Sequence, residues 1–208
     1  MKFLSIVFLS LFSIGLSKST EPTNADSAEW KLAKNKNGVV VYTRKTEGAK
    51  IREFQAIVKI KTNMTDLQKQ IENAESYTEW QPHITNSKTL KKLNDNERYI
   101  YYALDVPWPL QDRDVVVFSK KTKTKSGDVL YRLKSKPDFI ENKEKYIRIR
   151  DAYGFWKLSK QSGGLIKVVY QSYGDPAGSI PTGIINMFIV DGPYKTMLNL
   201  KNKLEGNS

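Results

Sequence analysis

No cysteine occurs anywhere in the chain. That excludes a disulfide framework, a thiolate zinc site, a cysteine nucleophile and the lipidated cysteine of a bacterial lipoprotein. Histidine is nearly as scarce: His83 is the only one. It follows Trp80-Gln81-Pro82 in a turn and reads as a surface or capping residue rather than a catalyst. A Ser–His–Asp triad would have to use it, yet no GxSxG elbow supplies the serine. P-loop, HExxH and GxGxxG patterns are missing too. Asp112 and Asp114 stand too close in sequence to cage a metal without further carboxylates. No catalytic side chain, metal or cofactor is therefore expected. From Lys18 onward no apolar run is long enough to span a bilayer.

What the sequence does contain begins with a short leader pattern. Met1-Lys2 is positive, Phe3 to Leu16 is apolar and uncharged, and Gly15-Leu16-Ser17 places small residues at a cleavage site. Residues 1–17 thus read as a signal peptide, and the protein as exported, either periplasmic or secreted. A polar linker with Pro22 follows over 18–26, and one domain over 27–206. A domain of that size buries enough core to need no crosslink.

The 208-residue chain carries a net charge of +12, and removing Lys2 with the leader leaves 12 − 1 = +11. A basic surface favours anionic partners. The lysines are scattered, however. The densest groups, Lys120 to Lys125 and Lys134 to Lys136, flank a turn signal at Ser126-Gly127-Asp128 and read as solvated hairpin flanks. A monomer making transient contact with anionic membranes is expected, without a nucleic-acid partner.

Along the chain, Ser27 can cap a short helix through Lys34, anchored by Trp30. Asn37-Gly38 marks a turn, and Val39–Arg44 is a β-branched strand. Ile51 to Lys61 alternates, with Phe54, Ala56, Val58 and Ile60 on one face. Thr62-Asn63 caps a helix with Met64, Leu67, Ile71 and Ala74 at helical spacing, and a short turn over Tyr77 to Trp80 completes a helix pair. Strand-like runs follow at 88–93, 98–106, 114–120, 129–133, 146–156 and 165–173, separated by turn residues. A long, largely apolar helix begins at Pro181, and Gly192-Pro193 should kink it. The fold class is α+β. A curved antiparallel sheet must cover its apolar face, and the terminal helix is the natural cover. The space between them suits an apolar ligand.

Four segments then carry a resemblance. They are Tyr77-Thr78-Glu79-Trp80, the Pro107-to-Asp114 stretch PWPLQDRD, Tyr146-Ile147-Arg148-Ile149-Arg150, and Asp175 to Pro181 with Ile185-Asn186. In this order and spacing they resemble the START lipid-transfer family of the helix-grip superfamily, and most closely its phosphatidylcholine-transfer-like members. The likeness runs from about Trp30 to Leu204. It implies a helix-grip fold, with the sheet wrapped around the C-terminal helix and a tunnel between them. Alternate strand positions then nominate Ile100, Tyr102, Leu104, Val115 and Val117 as lining. The helix adds Ile185, Phe188 and Ile189. Each of these serves equally well as plain core.

The resemblance also assigns polar roles. Arg113 and Asp114 read as a structural clamp at a strand start. One of Arg148 and Arg150 faces the cavity; Arg150 is favoured, against a surface salt bridge, as a bidentate holder of phosphate or carboxylate. Choline-binding relatives enclose their ligand with aromatic rings. Here Tyr102 matches one such position, but Val115 and Ala152 stand at the others, which argues against choline. Ile100 and Ser119 occupy the positions of the steroid binders' acid–base pair, so that pair is missing too. The expected function is binding and carriage of a lipid, sterol or other hydrophobic small molecule between membranes. The alternatives are a cyclase-, dehydratase- or hydrolase-like enzyme of the same fold, or a basic membrane-surface module.

Overall fold

A computed structural model describes residues 29–49 and 51–206. The leader, the linker and the Ser27 cap lie outside the described residues. The chain opens with a hairpin, β1 (Lys31–Lys36) and β2 (Val39–Arg44), and continues into β3 (Glu53–Lys61). Helix α1 (Met64–Glu72) and the single turn α2 (Tyr77–Trp80) follow. Then come β4 (Ile84–Asn94), β5 (Glu97–Leu104), β6 (Arg113–Lys123) and β7 (Val129–Ser135). After these lie the short β8 (Ile147–Arg148), β9 (Ala152–Lys160) and β10 (Leu165–Gly174). The terminal helix has three parts: α3 (Thr182–Asn186), a π-helical turn over Met187–Asp191, and α4 (Gly192–Glu205).

The strands form one sheet in the order β1-β2-β3-β10-β9-β7-β6-β5-β4, antiparallel throughout, with β8 added in parallel beside β6. Consecutive strands pair except where β10 meets β3 and where β9 meets β7 past the off-path β8, so the helix pair spans the gap between β3 and the far edge strand β4. Each inner face follows from period-two alternation. Val39 and Val41 of β2, Ala56, Val58 and Ile60 of β3, and Ile166 and Val168 of β10 are all buried in one core. Tyr194, Met197 and Leu200 of α4 close it from the other side. Gly154 of β9 lets the sheet close tightly: a Cβ there would lie 2.3 Å from the Gln171 carbonyl oxygen.

Three expectations are corrected. Residues read as a helix up to Lys34 instead form β1. Asn37 and Gly38, at φ 52° and 75°, make a tight hairpin turn that returns the chain against β2. Side chains on β1 are almost all exposed, so no alternation marks the strand. The single strand expected over 146–156 is broken into β8 and β9, because Arg148 is drawn inward to Asp114. Finally, the anticipated kink at Pro193 is spread over a wider turn just before it. The Gly192 amide donates to the Met187 carbonyl, five residues back. Pro193 can neither donate to the preceding turn nor fit under it, and the widened turn makes room for its ring.

Candidate functional site

The terminal helix crosses the concave face of the sheet, and its first half does not touch bottom. Beneath Ile185, Phe188, Ile189 and Pro193 lies a cavity of about 170 Å³. Its floor and walls are Phe54 of β3, Tyr102 and Leu104 of β5, Val115 of β6, and Tyr170 of β10. Its rim is made by Ile51-Arg52 after β2, by Gln81 to Ile84 after α2, and by Pro176 and Ile180 before α3. A smaller chamber of about 30 Å³ lies deeper, bordered by Ile100, Val117, Glu72, Arg98 and Tyr131. Tyr102, Tyr170 and Gln81 border both spaces.

The nominated residues therefore divide. Tyr102, Leu104, Val115, Ile185, Phe188 and Ile189 line the larger cavity, while Ile100 and Val117 line the inner chamber. Val115 and Ala152, the positions without a ring, border the larger cavity beside Tyr102. Arg150 borders neither space: its guanidinium is on the surface, 2.8 Å from the Asp138 carboxylate. β8 ends at Arg148, so the two arginines do not share a continuous strand and face different surroundings. Arg148 is the buried one, yet it too borders neither space. Its Nε and Nη2 donate to the two Asp114 oxygens at 2.7 and 2.9 Å, and its Nη1 donates to the Pro137 and Ile140 carbonyls. Asp114 is thus tied to Arg148.

Arg113 is 3% exposed and borders the larger cavity. Its Nε donates to the Pro176 carbonyl at 3.1 Å and its Nη2 to the Ala177 carbonyl at 3.3 Å, while Nη1 donates to Gln111. These bonds hold the 175–181 loop against the start of β6. That loop bends through Ala177 and Gly178, both at positive φ, where a glycine relieves the strain. Burial holds the Arg113 pKa below its ordinary value, partly offset by nearby Asp112.

His83, read from the sequence as a surface or capping residue, borders the cavity, with its Nδ1 3.3 Å from Asp105 and its ring 5.5 Å from that of Phe188. Two further site residues, Tyr170 and Glu72, are not named from the sequence. Tyr170 follows Ile166 and Val168 on the same face of β10, so alternation along that strand could have found it. Glu72 ends α1 and faces the inner chamber, where Lys121, Tyr131 and Arg98 all donate to its carboxylate, at 2.9, 2.8 and 3.0 Å. Burial raises the Glu72 pKa, but those three hydrogen bonds outweigh it and leave the carboxyl below its ordinary value. Nothing in local sequence brings these four side chains together.

An apolar cavity under a helix laid across a curved antiparallel sheet is a receptacle, and the matches to known proteins agree with that geometry. A family model for the START domain matches residues 18–197. An uncharacterised protein of Pseudomonas aeruginosa, PA1579, is 33% identical over 182 residues, covering 88% of this chain and 90% of its own. The crystal structure of a STAR-related lipid transfer protein from Xanthomonas axonopodis is similar at a TM-score of 0.77. It is 33% identical, over 84% of this chain and 98% of that one. Human StAR-related lipid transfer protein 5 shares the fold at a TM-score of 0.72 and 13% identity, over 87% of this chain and 88% of its own. The four sequence segments, the fold they build and the extent of these matches agree: this chain belongs to the START domain family.

Proposed function

We propose that the protein binds a hydrophobic small molecule, a lipid or sterol in the broad sense, in the cavity beneath the terminal helix, and carries it between membranes. One observation carries the reading: a mainly apolar cavity of about 170 Å³ lies between sheet and helix in a START-family chain. Apolar lining with a few polar groups is the ordinary design of a small-molecule site. The Xanthomonas relative, by its name a lipid transfer protein, supports the same reading at 33% identity. The role is carriage, without turnover, by a monomer that holds no nucleic acid.

Loading requires contact with a membrane, and one loop suits it. Residues 105–112 join β5 to β6; Val106 borders the cavity, while Trp108 is 91% exposed. A lone exposed Trp is favoured at a membrane–water boundary. Gln111 of the same loop donates to the Glu144 carbonyl at 2.7 Å, which brings the exposed Lys143 and Lys145 alongside. An anionic surface complements that charge. Export from the cytoplasm, with the mature chain in the periplasm or outside the cell, is supported by the leader pattern in 1–17 and by a family match that begins at Lys18. N-terminal sequencing of the protein isolated from its cells checks the site.

The deciding experiment is native mass spectrometry with lipid extraction on the chain from Lys18 to Ser208. A stoichiometric apolar ligand supports carriage. A consistently empty protein that also takes up nothing from a lipid panel overturns it. One observation favours a second reading, as an enzyme: His83 and Asp105 form a histidine–carboxylate pair at the cavity's edge. Turnover of any ligand, abolished by His83→Ala while binding persists, would replace carriage with catalysis.

A further inference from the structure

The cavity does not run the length of the sheet. Tyr102 and Tyr170 stand across it, on β5 and β10, and each borders both the outer cavity and the inner chamber. The wall is braced by neighbouring rings. Tyr170 stacks on Trp156 with ring centroids 4.0 Å apart and planes 4° from parallel. Phe54 meets Tyr170 edge-on at 5.1 Å, and Trp156 meets Trp80 at 6.1 Å. A ring held by two aromatic partners resists displacement by an apolar chain end. Burial raises the pKa of both phenols, that of Tyr170 to about 12, so the wall stays uncharged.

The space behind the wall is too small for an apolar guest. It measures about 30 Å³, a volume on the scale of a water molecule, and its border includes Glu72, Arg98 and Tyr131, already bonded to one another. Pushing methylenes against that ionic cluster would strip it of hydration with no bond in return. In front of the wall, about 170 Å³ is well below the roughly 300–1,000 Å³ that encloses a drug-sized ligand. The buried Arg113 guanidinium borders this outer space, and its bonds to Pro176, Gln111 and Ala177 engage three of its five N–H donors.

We propose that Tyr102 and Tyr170 form a depth stop that restricts the ligand to a single-chain amphiphile: one alkyl or acyl chain reaching the wall, with its polar head toward Arg113. Sterols and two-chain lipids are too large for the space in front of it. This rests on the carriage reading and names the ligand class within it.

The test uses saturated fatty acids of graded length, cholesterol and a diacyl phosphatidylcholine as probes, with affinity read by displacement of a fluorescent fatty acid. In the unaltered protein, affinity rises by about four-fold per methylene and then levels off once the chain meets the wall. Cholesterol and phosphatidylcholine bind at least ten-fold more weakly than the best chain. Tyr170→Leu moves the plateau to chains at least two carbons longer. Tyr102→Leu, which leaves the Tyr170–Trp156 stack in place, does the same and carries the test if Tyr170→Leu does not fold. An unchanged plateau in folded variants, or cholesterol bound as tightly as the best chain, overturns the depth stop and leaves carriage intact. A protein that binds no probe at all overturns carriage, and the depth stop with it.

Discussion

Arg148 grips Asp114 through both carboxylate oxygens, at 2.7 and 2.9 Å, with 4% and 1% of the two side chains exposed. The same guanidinium donates to the carbonyls of Pro137, Ile140 and Glu141, so one side chain ties β6, β8 and the 137–141 segment together. Removing one partner strands the other charge. Asp114→Ala and Arg148→Ala are each expected to destabilise the fold by about 3–5 kcal/mol in urea denaturation. Replacing both by apolar residues recovers only part of the loss, because the three carbonyls stay unpaired. Full recovery in the double variant would show that those carbonyls contribute little.

Acid stability follows from Glu72. Its folded-state pKa lies below the ordinary 4.5, because donors on α1's neighbours outweigh the burial that would raise it. A carboxyl so depressed contributes stability that is fully present above about pH 4.5 and fades as pH falls through the folded value. Glu72→Gln is therefore expected to cost roughly 2 kcal/mol at pH 7, with the difference from the unaltered protein shrinking below pH 4.5. Denaturation midpoints measured from pH 7 to pH 3 check this. A gap that stays constant across the range contradicts the assignment.

Trp108 separates membrane contact from folding. It is 91% exposed, so Trp108→Ala should change stability by less than about 0.5 kcal/mol. Co-sedimentation with anionic vesicles should fall several-fold at low salt, and Lys143→Ala with Lys145→Ala should remove much of the salt dependence that remains. Undiminished sedimentation of the Trp108 variant would move the contact surface elsewhere on the molecule.

The terminal helix is the movable element. Its first half roofs the cavity and is joined to α4 through the wide turn at Met187–Asp191. Because the chain has no cysteine, a single engineered pair reports cleanly. His83 and Phe188 face each other across the rim, with rings 5.5 Å apart. Joining cysteines at these positions with a short thiol crosslinker is expected to slow ligand exchange at least ten-fold, with ligand bound beforehand retained. Exchange at the unmodified rate would mean that the helix does not open there.

Much of this protein was legible residue by residue. Val39–Arg44 alternates in β2, Asn63 caps α1 by accepting from the Asp66 amide, and Pro193 disturbs the terminal helix; each effect is local and acts through a few neighbouring residues. Motif order was enough to identify the family, since each segment occupies a particular corner of one fold. The edge strand β1 was not legible, because a strand with nearly every side chain in solvent carries no period. Nor was the pairing of β3 with β10, which depends on distant segments meeting. The same limit governs the site. Alternation could name Tyr102 as inward-facing, but only the closed sheet sets it beside Tyr170 to divide the cavity. Only the folded chain turns Arg148 to Asp114 and leaves Arg150 at the surface. Local chemistry determines which way a side chain can point. Which distant partner it meets is decided by the tertiary packing, because a buried charge or ring is stable only where the whole fold supplies its counterpart.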